Sequence, residues 1–218
     1  MKNTKKIIIF GAGGTSRDIV SLIEEINGLT VKYECMGFLD DDVKILGKNV
    51  MGKKVLGPIS KAIQFPDCFF INGIYTLKKR SLNEEIIIKS KIPQSKFETL
   101  IHPSASVSES ARIGNGCLIM QNVVIMSNAN IGKHVIIQPN CVISHDSQIN
   151  DFTFIANSVS TGGYVSIGRQ CLIGLNSTIR EYVKIGDNSI IGMGAVVLED
   201  VPGRTTFIGN PARQKSRI

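Results

Sequence analysis

The sequence of 218 residues contains no tryptophan, few aromatic side chains and only three histidines. It also has no run of 18 apolar residues, so it predicts no membrane-spanning helix and no membrane insertion. The apolar stretch Ile7–Phe10 is too short for a signal peptide and leads into a glycine turn. We therefore expect a cytoplasmic protein.

The five cysteines show no spacing typical of a disulfide framework or a zinc site. Cys117, Cys141 and Cys171 share one position of the repeat described below, which favours buried thiols that act as packing atoms. The net charge of +7 is not accompanied by a nucleic-acid-binding motif, so we expect no nucleic-acid partner. A basic surface suits anionic small ligands, but a merely solvated surface explains the charge equally well.

A six-residue repeat runs without insertion from Ile101 to Val197. Every sixth residue is isoleucine or valine, and Thr161 is the one exception. A mostly small residue precedes each aliphatic one by two positions, and residues two apart on a strand face the same side. Each repeat therefore sends one small and one large side chain inward. Glycine, asparagine or aspartate fills many of the following positions, which favours tight turns with positive φ.

This repeat predicts a solenoid in which a short strand and a sharp turn form one side of a triangular prism. Three repeats, or 18 residues, would make one coil, and the region would hold about five coils. Parallel pairing would stack the coils, and the aliphatic columns would fill the shaft. The scarcity of aromatic residues suits so narrow an interior.

Residues 1–100 predict a separate α/β domain with a Rossmann-like beginning. Lys6–Phe10 predicts a buried strand, a glycine turn follows it, and a helix should run from Thr15 to about Glu25. A second strand over Val31–Leu39 ends in three aspartates. The free N–H groups at the start of the helix are a natural place for a phosphate.

The glycine fingerprint is incomplete, because Ser16 stands where the third glycine would be. A domain of this length is also only half of a complete dinucleotide-binding fold. We therefore expect a nucleotide other than NAD, with an acidic residue at the end of the second strand available for a ribose hydroxyl.

The rest of this domain should contain a short helix, a third strand, a longer helix and a last strand; these cover Ile59–Ile63, Cys68–Ile71, Leu77–Ser90 and Phe97–Ile101. Loops at the carboxyl ends of parallel strands form the ligand crevice of such sheets. Gly11–Thr15, Asp40–Asp41 and Asn72–Gly73 should therefore share one rim.

His145 is the strongest candidate for chemistry. It lies two residues after Ile143, at a repeat position otherwise filled mostly by polar residues, so its side chain should point outward. Asp146 follows it, and a carboxylate on one imidazole nitrogen would fix the tautomer and raise the basicity of the other. Neighbouring residues diverge on a strand but need not do so at a corner. The residues alone leave an ordinary surface histidine open as the alternative.

The other two histidines suggest no site. His134 lies at a turn position rich in asparagine, glycine and aspartate, which predicts a solvated turn residue. His102 precedes Pro103 at the start of the repeat and reads as structural. No third histidine lies near His134 and His145, so we expect no metal.

The sequence resembles the bacterial sugar O-/N-acetyltransferases of the NeuD/PglD type, which belong to the hexapeptide-repeat acyltransferase superfamily. The motifs that carry this resemblance are Gly11-Ala12-Gly13-Gly14, Phe38-Leu39-Asp40-Asp41, Ile101-His102-Pro103-Ser104-Ala105, Ile143-Ser144-His145-Asp146 and Ile208-Gly209-Asn210-Pro211-Ala212. The resemblance implies a Rossmann-like nucleotide-sugar-binding domain over residues 1–100. It implies a left-handed parallel β-helix with a short tail over residues 101–218.

The resemblance also implies a homotrimer that binds acetyl-CoA in the groove between neighbouring subunits. His145 would be the general base and Asp146 would strengthen it, with direct attack by the substrate amine. Gly163 would offer its N–H to the thioester oxygen. The residues implied to contact coenzyme A are Phe154, Gly163, Leu175 and Met193; those implied to hold the nucleotide sugar are Gly11, Gly13, Gly14, Thr15, Asp40, Asp41 and Gly73.

Three positions depart from the pattern of the family. Phe154 stands where family members often have a histidine that touches coenzyme A, and a phenylalanine can only pack there. Thr15 replaces a histidine found in some relatives. The strand end at Ile71–Ile74 shifts the usual Ile-Gly pair by one residue, which concerns Gly73.

Three functions follow as hypotheses. The first is an acetyl-CoA-dependent N-acetyltransferase that acts on a nucleotide-linked amino sugar, of the 4-amino-4,6-dideoxy class. The second is an O-acetyltransferase that acts on sialic acid or a related free sugar. The third is a non-catalytic nucleotide-binding module that senses a nucleotide or acts as a scaffold for a glycan pathway.

Overall fold

The computed structural model describes residues 4–75 and 81–215. The chain divides after Leu100 into two units, Met1–Leu100 and Ile101–Ile218, and each is described by itself. The predicted helix over Leu77–Ser90 is tested only from Ser81 onward, because Leu77 lies outside the described residues.

The first unit is built on a five-stranded sheet with the order β3-β4-β2-β1-β5. Its elements are β1 (Lys5–Phe10), α1 (Gly14–Leu29), β2 (Tyr33–Leu39), β3 (Asn49–Val50), β4 (Lys53–Gly57), β5 (Phe69–Asn72) and α2 (Ser81–Ser90), with 3-10 helices at Ile59–Gln64 and Gln94–Lys96. The pairs β1–β2, β1–β5 and β2–β4 are parallel, whereas β3 and β4 form an antiparallel pair. This arrangement confirms the Rossmann-like prediction.

Helix α1 buries Ile19, Leu22 and Ile23 as its periodicity predicts, but it continues past the predicted end to Leu29. The side chain of Asn27 explains where the next strand begins. Its amide donates to the carbonyl of Tyr33 at 2.7 Å, and its oxygen accepts the N–H of Tyr33 at 3.1 Å. These two hydrogen bonds fix the start of β2 at Tyr33, so Val31 lies outside the strand.

Strands β3 and β4 were not predicted from the sequence, and one prediction for the first unit was wrong. Strand β4, which lies between β3 and β2, was missed because its two lysines leave only a short apolar segment in the sequence. Phe97–Ile101 does not complete the sheet: Phe97 makes only an isolated bridge with Phe70, and Leu100–Ile101 pairs within the repeat region instead. The aliphatic residue at 101 follows the six-residue register, which explains the second difference.

The second unit is a parallel β-helix made of two-residue strands spaced six residues apart. These strands are β6 (Leu100–Ile101), β7 (Ser106–Val107), β8 (Arg112–Ile113), β9 (Leu118–Ile119), β10 (Val124–Ile125), β11 (Asn130–Ile131), β12 (Ile136–Ile137), β13 (Val142–Ile143), β14 (Gln148–Ile149), β15 (Phe154–Ile155), β16 (Ser160–Thr161), β17 (Ser166–Ile167), β18 (Leu172–Ile173), β19 (Thr178–Ile179), β20 (Lys184–Ile185), β21 (Ile190–Ile191) and β22 (Val196–Val197). A short end follows with β23 (Thr206–Ile208) and β24 (Arg213–Gln214), which pair antiparallel.

Every third strand belongs to the same sheet, so residues 18 apart lie over one another. The first face carries β7, β10, β13, β16, β19 and β22; the second carries β8, β11, β14, β17 and β20; the third begins with β6, β9, β12, β15, β18 and β21. The second residue of most strands joins one buried aliphatic core, together with the small residues two positions earlier. The predicted inward columns are therefore confirmed.

The outward residues differ between the faces. On β9, β12, β15, β18 and β21 of the third face they are apolar, namely Leu118, Ile136, Phe154, Leu172 and Ile190. On the second face they are polar, namely Arg112, Asn130, Gln148, Ser166 and Lys184. The turns after the first, second and third faces form what we call the first, second and third edges of the prism. Most of these turns contain one residue with positive φ, such as Asn122 or Asn140 on the third edge.

His134 lies on the second edge and contradicts its prediction as a solvated residue. It is only 6% exposed, and its ring stacks on Phe152 with centroids 4.9 Å apart and planes 11° apart. Gly116 leaves room for it, since a Cβ there would lie 2.6 Å from the ring carbon Cε1. The six-residue phase places His134 in a turn correctly, but the residues one coil above and below decide its burial.

Burial lowers the pKa of His134 from 6.5 to about 4. The unfolded chain takes up a proton on this side chain as the pH falls through its ordinary pKa, whereas the folded chain does so only near the lowered one. We therefore predict that this group reduces the unfolding free energy by about 2 kcal/mol between pH 7 and pH 5. Chemical denaturation at both pH values measures the loss.

The variant His134→Asn keeps a residue that tolerates positive φ and should remove this part of the pH dependence. His102→Asn is the matched control, because it removes a histidine at the start of the repeat and should leave the dependence as it is. An unchanged dependence in His134→Asn would contradict the assignment.

Candidate active site

The first edge carries His145 and Asp146 in one turn of the β-helix. The Nδ1 atom of His145 lies 2.8 Å from Oδ2 of Asp146, while half of the His145 side chain remains exposed. Asp146 has a φ of +56°, which bends the chain so that the two consecutive side chains meet rather than diverge. With Nδ1–H donating to the carboxylate, Nε2 is left as the basic nitrogen. The corner predicted from the sequence thus brings the pair together.

The coil below holds the carboxylate in place. Asn128, 18 residues earlier, donates its side-chain amide to Oδ1 of Asp146 at 3.1 Å. The N–H of Asn128 in turn donates to Oγ of Ser110 at 3.0 Å. The bonds from His145 and Asn128 hold the pKa of the Asp146 carboxyl below its ordinary value, so it is ionised at neutral pH. An ionised carboxylate accepts the Nδ1–H of His145 and so fixes the tautomer in which Nε2 carries the free lone pair.

The coil above leaves room for the imidazole. A Cβ at Gly163 would lie 2.6 Å from Cε1 and 2.7 Å from Nε2 of His145, so only glycine permits this ring position. The N–H of Gly163 donates to no acceptor within the part of the chain that the structure describes. An unused peptide N–H therefore lies close to the basic nitrogen.

Two tyrosines continue the first edge beyond Gly163. The ring of Tyr164 meets the His145 ring edge-on at 5.3 Å, and Tyr182 stacks on Tyr164 with centroids 5.0 Å apart and planes 4° apart. Both tyrosines have positive φ and are exposed, by 48% and 66% of their surface. Bulky side chains rarely adopt this conformation, yet sequence reasoning did not single them out. The sequence did contain a signal for them: the two tyrosines are 18 residues apart, which is one coil, and they follow His145 on the same edge.

The other residues implied to contact coenzyme A lie elsewhere on the prism. Leu175 and Met193 are on the third edge, where they are exposed by 41% and 74%. Phe154 points outward from the third face, where it pairs in register with Ile136 and Leu172. Within one chain, therefore, the structure brings Gly163 to His145 but leaves Leu175, Met193 and Phe154 on other sides of the β-helix.

The first unit gathers its predicted residues at one rim, at the carboxyl ends of β1, β2 and β5. The N–H of Gly11 donates to the carbonyl of Leu39 at 2.7 Å, and the N–H of Gly73 donates to the carbonyl of Phe10 at 2.9 Å. A carboxylate oxygen of Asp40 accepts the N–H of Ala12 at 2.8 Å. The glycine turn, the end of β2 and the end of β5 are thus directly connected.

The rim residues differ in how open they are. Gly13 and Gly14 begin α1 and have open space where a Cβ would stand, and Thr15 beside them is half-buried. Asp41 uses one oxygen to accept the N–H of Ile59, which caps the first 3-10 helix. Gly73 is buried and packs against Ser16 and Ile19, so its lack of a side chain already has a structural reason.

Among residues 4–75 and 81–215, no group of three or more histidine, cysteine, aspartate or glutamate side chains is arranged to hold a metal ion. The same residues contain no helix with the length and apolar character needed to cross a membrane. All five cysteines are buried free thiols, as predicted for the three in the repeat.

Comparison with known proteins identifies both parts of the chain. Residues 98–208 match the family model of the GMPPB C-terminal domain, and residues 6–81 match that of the PglD N-terminal domain. Among solved structures, the chain is similar to a perosamine N-acetyltransferase mutant from Caulobacter crescentus, in complex with CoA and GDP-perosamine. The identity is 25% over 99% of each chain, and the TM-score is 0.84.

A second similar structure is the acetyltransferase domain of PglB from Neisseria gonorrhoeae in complex with acetyl coenzyme A. It is 26% identical over 98% of this chain and 100% of that chain, with a TM-score of 0.84. WeeI from Acinetobacter baumannii shares the fold at 24% identity over 97% of this chain and 100% of that one, with a TM-score of 0.82. The predicted left-handed β-helix is thereby confirmed. With both units accounted for, the chain belongs to the NeuD/PglD-type sugar acetyltransferases of the hexapeptide-repeat superfamily.

Proposed function

We propose that this chain transfers the acetyl group of acetyl-CoA to the amine of a nucleotide-linked amino sugar. The observation that carries the proposal is the hydrogen bond of 2.8 Å between His145 and Asp146 on an exposed edge, beside an unused peptide N–H at Gly163. The similar enzyme from Caulobacter crescentus was solved with CoA and GDP-perosamine, which supports an amino sugar as the acceptor. We propose the 4-amino-4,6-dideoxy class.

The reaction needs a base, an acceptor for negative charge and a leaving group. The amine nitrogen attacks the thioester carbonyl carbon while Nε2 of His145 takes the amine proton. The N–H of Gly163 donates to the carbonyl oxygen as it becomes negative. The carbon–sulfur bond then breaks, and the leaving thiolate takes a proton from the imidazolium. Asp146 stabilises the positive charge that His145 carries between these steps.

The rim of the first unit would hold the nucleotide part of the acceptor. Gly13 and Gly14 leave the first peptides of α1 open, and the N–H groups of a helix start suit a phosphate. Thr15 and Gly11 belong to the same turn. Asp40 and Asp41 lie at the end of β2, where a carboxylate oxygen can accept a hydrogen bond from a ribose hydroxyl. Gly73 follows β5 at the same rim, where its backbone would contact the acceptor.

A homotrimer would complete the coenzyme A site. Leu175, Met193 and Phe154 do not meet His145 within one chain, so they can line its groove only from a second copy. The half-buried outward residues Phe154, Leu172 and Ile190 of the third face would add apolar contact to such an interface. The cytoplasmic location stays a prediction.

Loss of the base should remove most of the activity. We predict that His145→Ala lowers turnover at least about a hundredfold, the usual scale for a general base, without dissociating the assembly. Asp146→Asn should also lower turnover, because it keeps the shape of the turn but removes the charge. The assay follows CoA release with a panel of amino sugar nucleotides beside free sialic acid, which separates N- from O-acetylation. Undiminished turnover in His145→Ala would remove this residue from the mechanism.

The lack of a side chain at residue 163 should be essential. We predict that Gly163→Ala displaces the imidazole from its place over this peptide and lowers kcat by about a hundredfold. Gly28→Ala is the matched control, because a Cβ at Gly28 meets nothing within 4 Å and the residue lies in α1. It should keep wild-type activity. Equal activity in the two variants would refute the role of Gly163.

A site shared between subunits should allow two inactive variants to rescue each other. We predict that mixed trimers of His145→Ala and the double variant Leu175→Glu/Met193→Glu regain activity in about a quarter of their sites. The two chains are unfolded together and refolded, and each variant refolded alone is the control. No recovery in mixed trimers of proven composition would place the whole site within one chain.

A further inference from the structure

Thr161 is the one residue that interrupts the aliphatic column of the repeat, and it lies one coil after Ile143. Its side chain is inside the β-helix, with only 5% of its surface exposed. The Oγ1 atom of Thr161 accepts the N–H of Ser144 at 3.1 Å, and the carbonyl of Thr161 accepts the hydroxyl of Ser144 at 2.6 Å. Both bonds therefore end on the residue that immediately precedes His145.

These bonds replace a regular rung of the ladder between coils. At the equivalent positions of the same face, the N–H of Met126 donates to the Ile143 carbonyl at 2.9 Å, and that of Gly162 donates to the Ile179 carbonyl at 2.8 Å. The pair β13–β16 keeps only one register contact, between Val142 and Ser160, whereas the pairs below and above it on this face keep two. The irregular rung and the irregular residue of the repeat thus coincide.

The location of the rung gives it a consequence for the site. The peptide of Ser144 leads directly into His145, so its direction affects where the imidazole lies relative to Asp146 and Gly163. Because the bond to Asp146 is short and Gly163 leaves little space, a small change of direction would misalign the ring. We propose that Thr161 is a positioning residue, which acts through Ser144 to orient the His145 turn. The proposal rests on the proposed function for its kinetic readout.

The competing interpretation is that Thr161 is only a buried hydroxyl satisfied by its neighbours. The chain offers a matched case in Thr153, which is 1% exposed and accepts the N–H of Cys171 at 3.1 Å through Oγ1. Its hydroxyl also donates to the Gly168 carbonyl at 2.7 Å. Thr153 belongs to the second edge, away from the turn of His145. Replacing either threonine by valine removes the same kind of bond.

The experiment compares Thr161→Val with Thr153→Val in the full-length protein. Valine at 161 restores the aliphatic register, so the rung can close on the carbonyl as in neighbouring coils, and thermal stability should not fall. We expect kcat to drop by about tenfold to a hundredfold with KM unchanged, which is the scale for a misplaced catalytic group. Thr153→Val should keep wild-type kcat, and Thr161→Ser, which retains the hydroxyl, should restore most of it.

A second readout does not depend on turnover. The 15N chemical shifts of the His145 ring nitrogens should report the hydrogen bond from Nδ1 to Asp146, and we expect Thr161→Val to change this NMR signal while Thr153→Val leaves it in place. If no amine is acetylated even by the wild-type protein, the proposed function fails, and this signal still decides the positioning role. Wild-type kcat together with an unchanged signal in Thr161→Val would overturn the proposal.

Should Thr161→Val fail to fold, Ser144→Ala takes its place. It removes the 2.6 Å bond to the Thr161 carbonyl and leaves the aliphatic core as it is. It should lower kcat at unchanged KM and alter the His145 signal. Wild-type behaviour of this variant in both measurements would then count against the proposal.

Discussion

The structure of the second unit depends on one constraint, which is that each coil takes 18 residues without insertion. Parallel pairing then places every residue directly over the residue 18 positions earlier, so each position of the turn becomes a column. The buried columns form one aliphatic core, and the outer columns form ladders of hydrogen bonds. If one extra residue entered a strand, every later inward residue would point outward, because consecutive strand residues point to opposite sides.

One of these ladders holds the candidate catalytic pair, His145 and Asp146, in position. On the third edge, Ser104, Asn122 and Asn140 form a ladder in which hydroxyl and amide groups bond from coil to coil. The first edge repeats this pattern, but its third member is Asp146 instead of asparagine. One carboxylate oxygen completes the ladder, and the other accepts the proton on His145. The hydrogen bond from Asn128 thus holds the carboxylate of Asp146 at a fixed distance from the imidazole, and no additional loop is needed.

His134 and His145 show how far the surroundings decide the chemistry of a residue type. Each ring lies over a glycine that a Cβ would obstruct. His134 is covered by Phe152, and burial lowers its pKa until it is unable to act as a base near neutral pH and remains a packing group. His145 has a carboxylate partner and an open side. The same arrangement, a histidine ring over a glycine, therefore packs the second edge at His134 and supplies a basic nitrogen on the first edge at His145.

The sequence by itself determined the β-helix, its inward columns, the glycine turn of the first unit and the outward direction of His145, because each depends on local spacing. It did not determine that β4 pairs between β2 and β3, that Leu100–Ile101 pairs in the β-helix, or that His134 is buried. Those outcomes depend on which residues come to lie in the adjacent strand or coil. The irregular rung between Ser144 and Thr161 is of the same kind. Thr161 was visible as an exception in the repeat, but its partner is 17 residues away, and only the stacked coils bring them together.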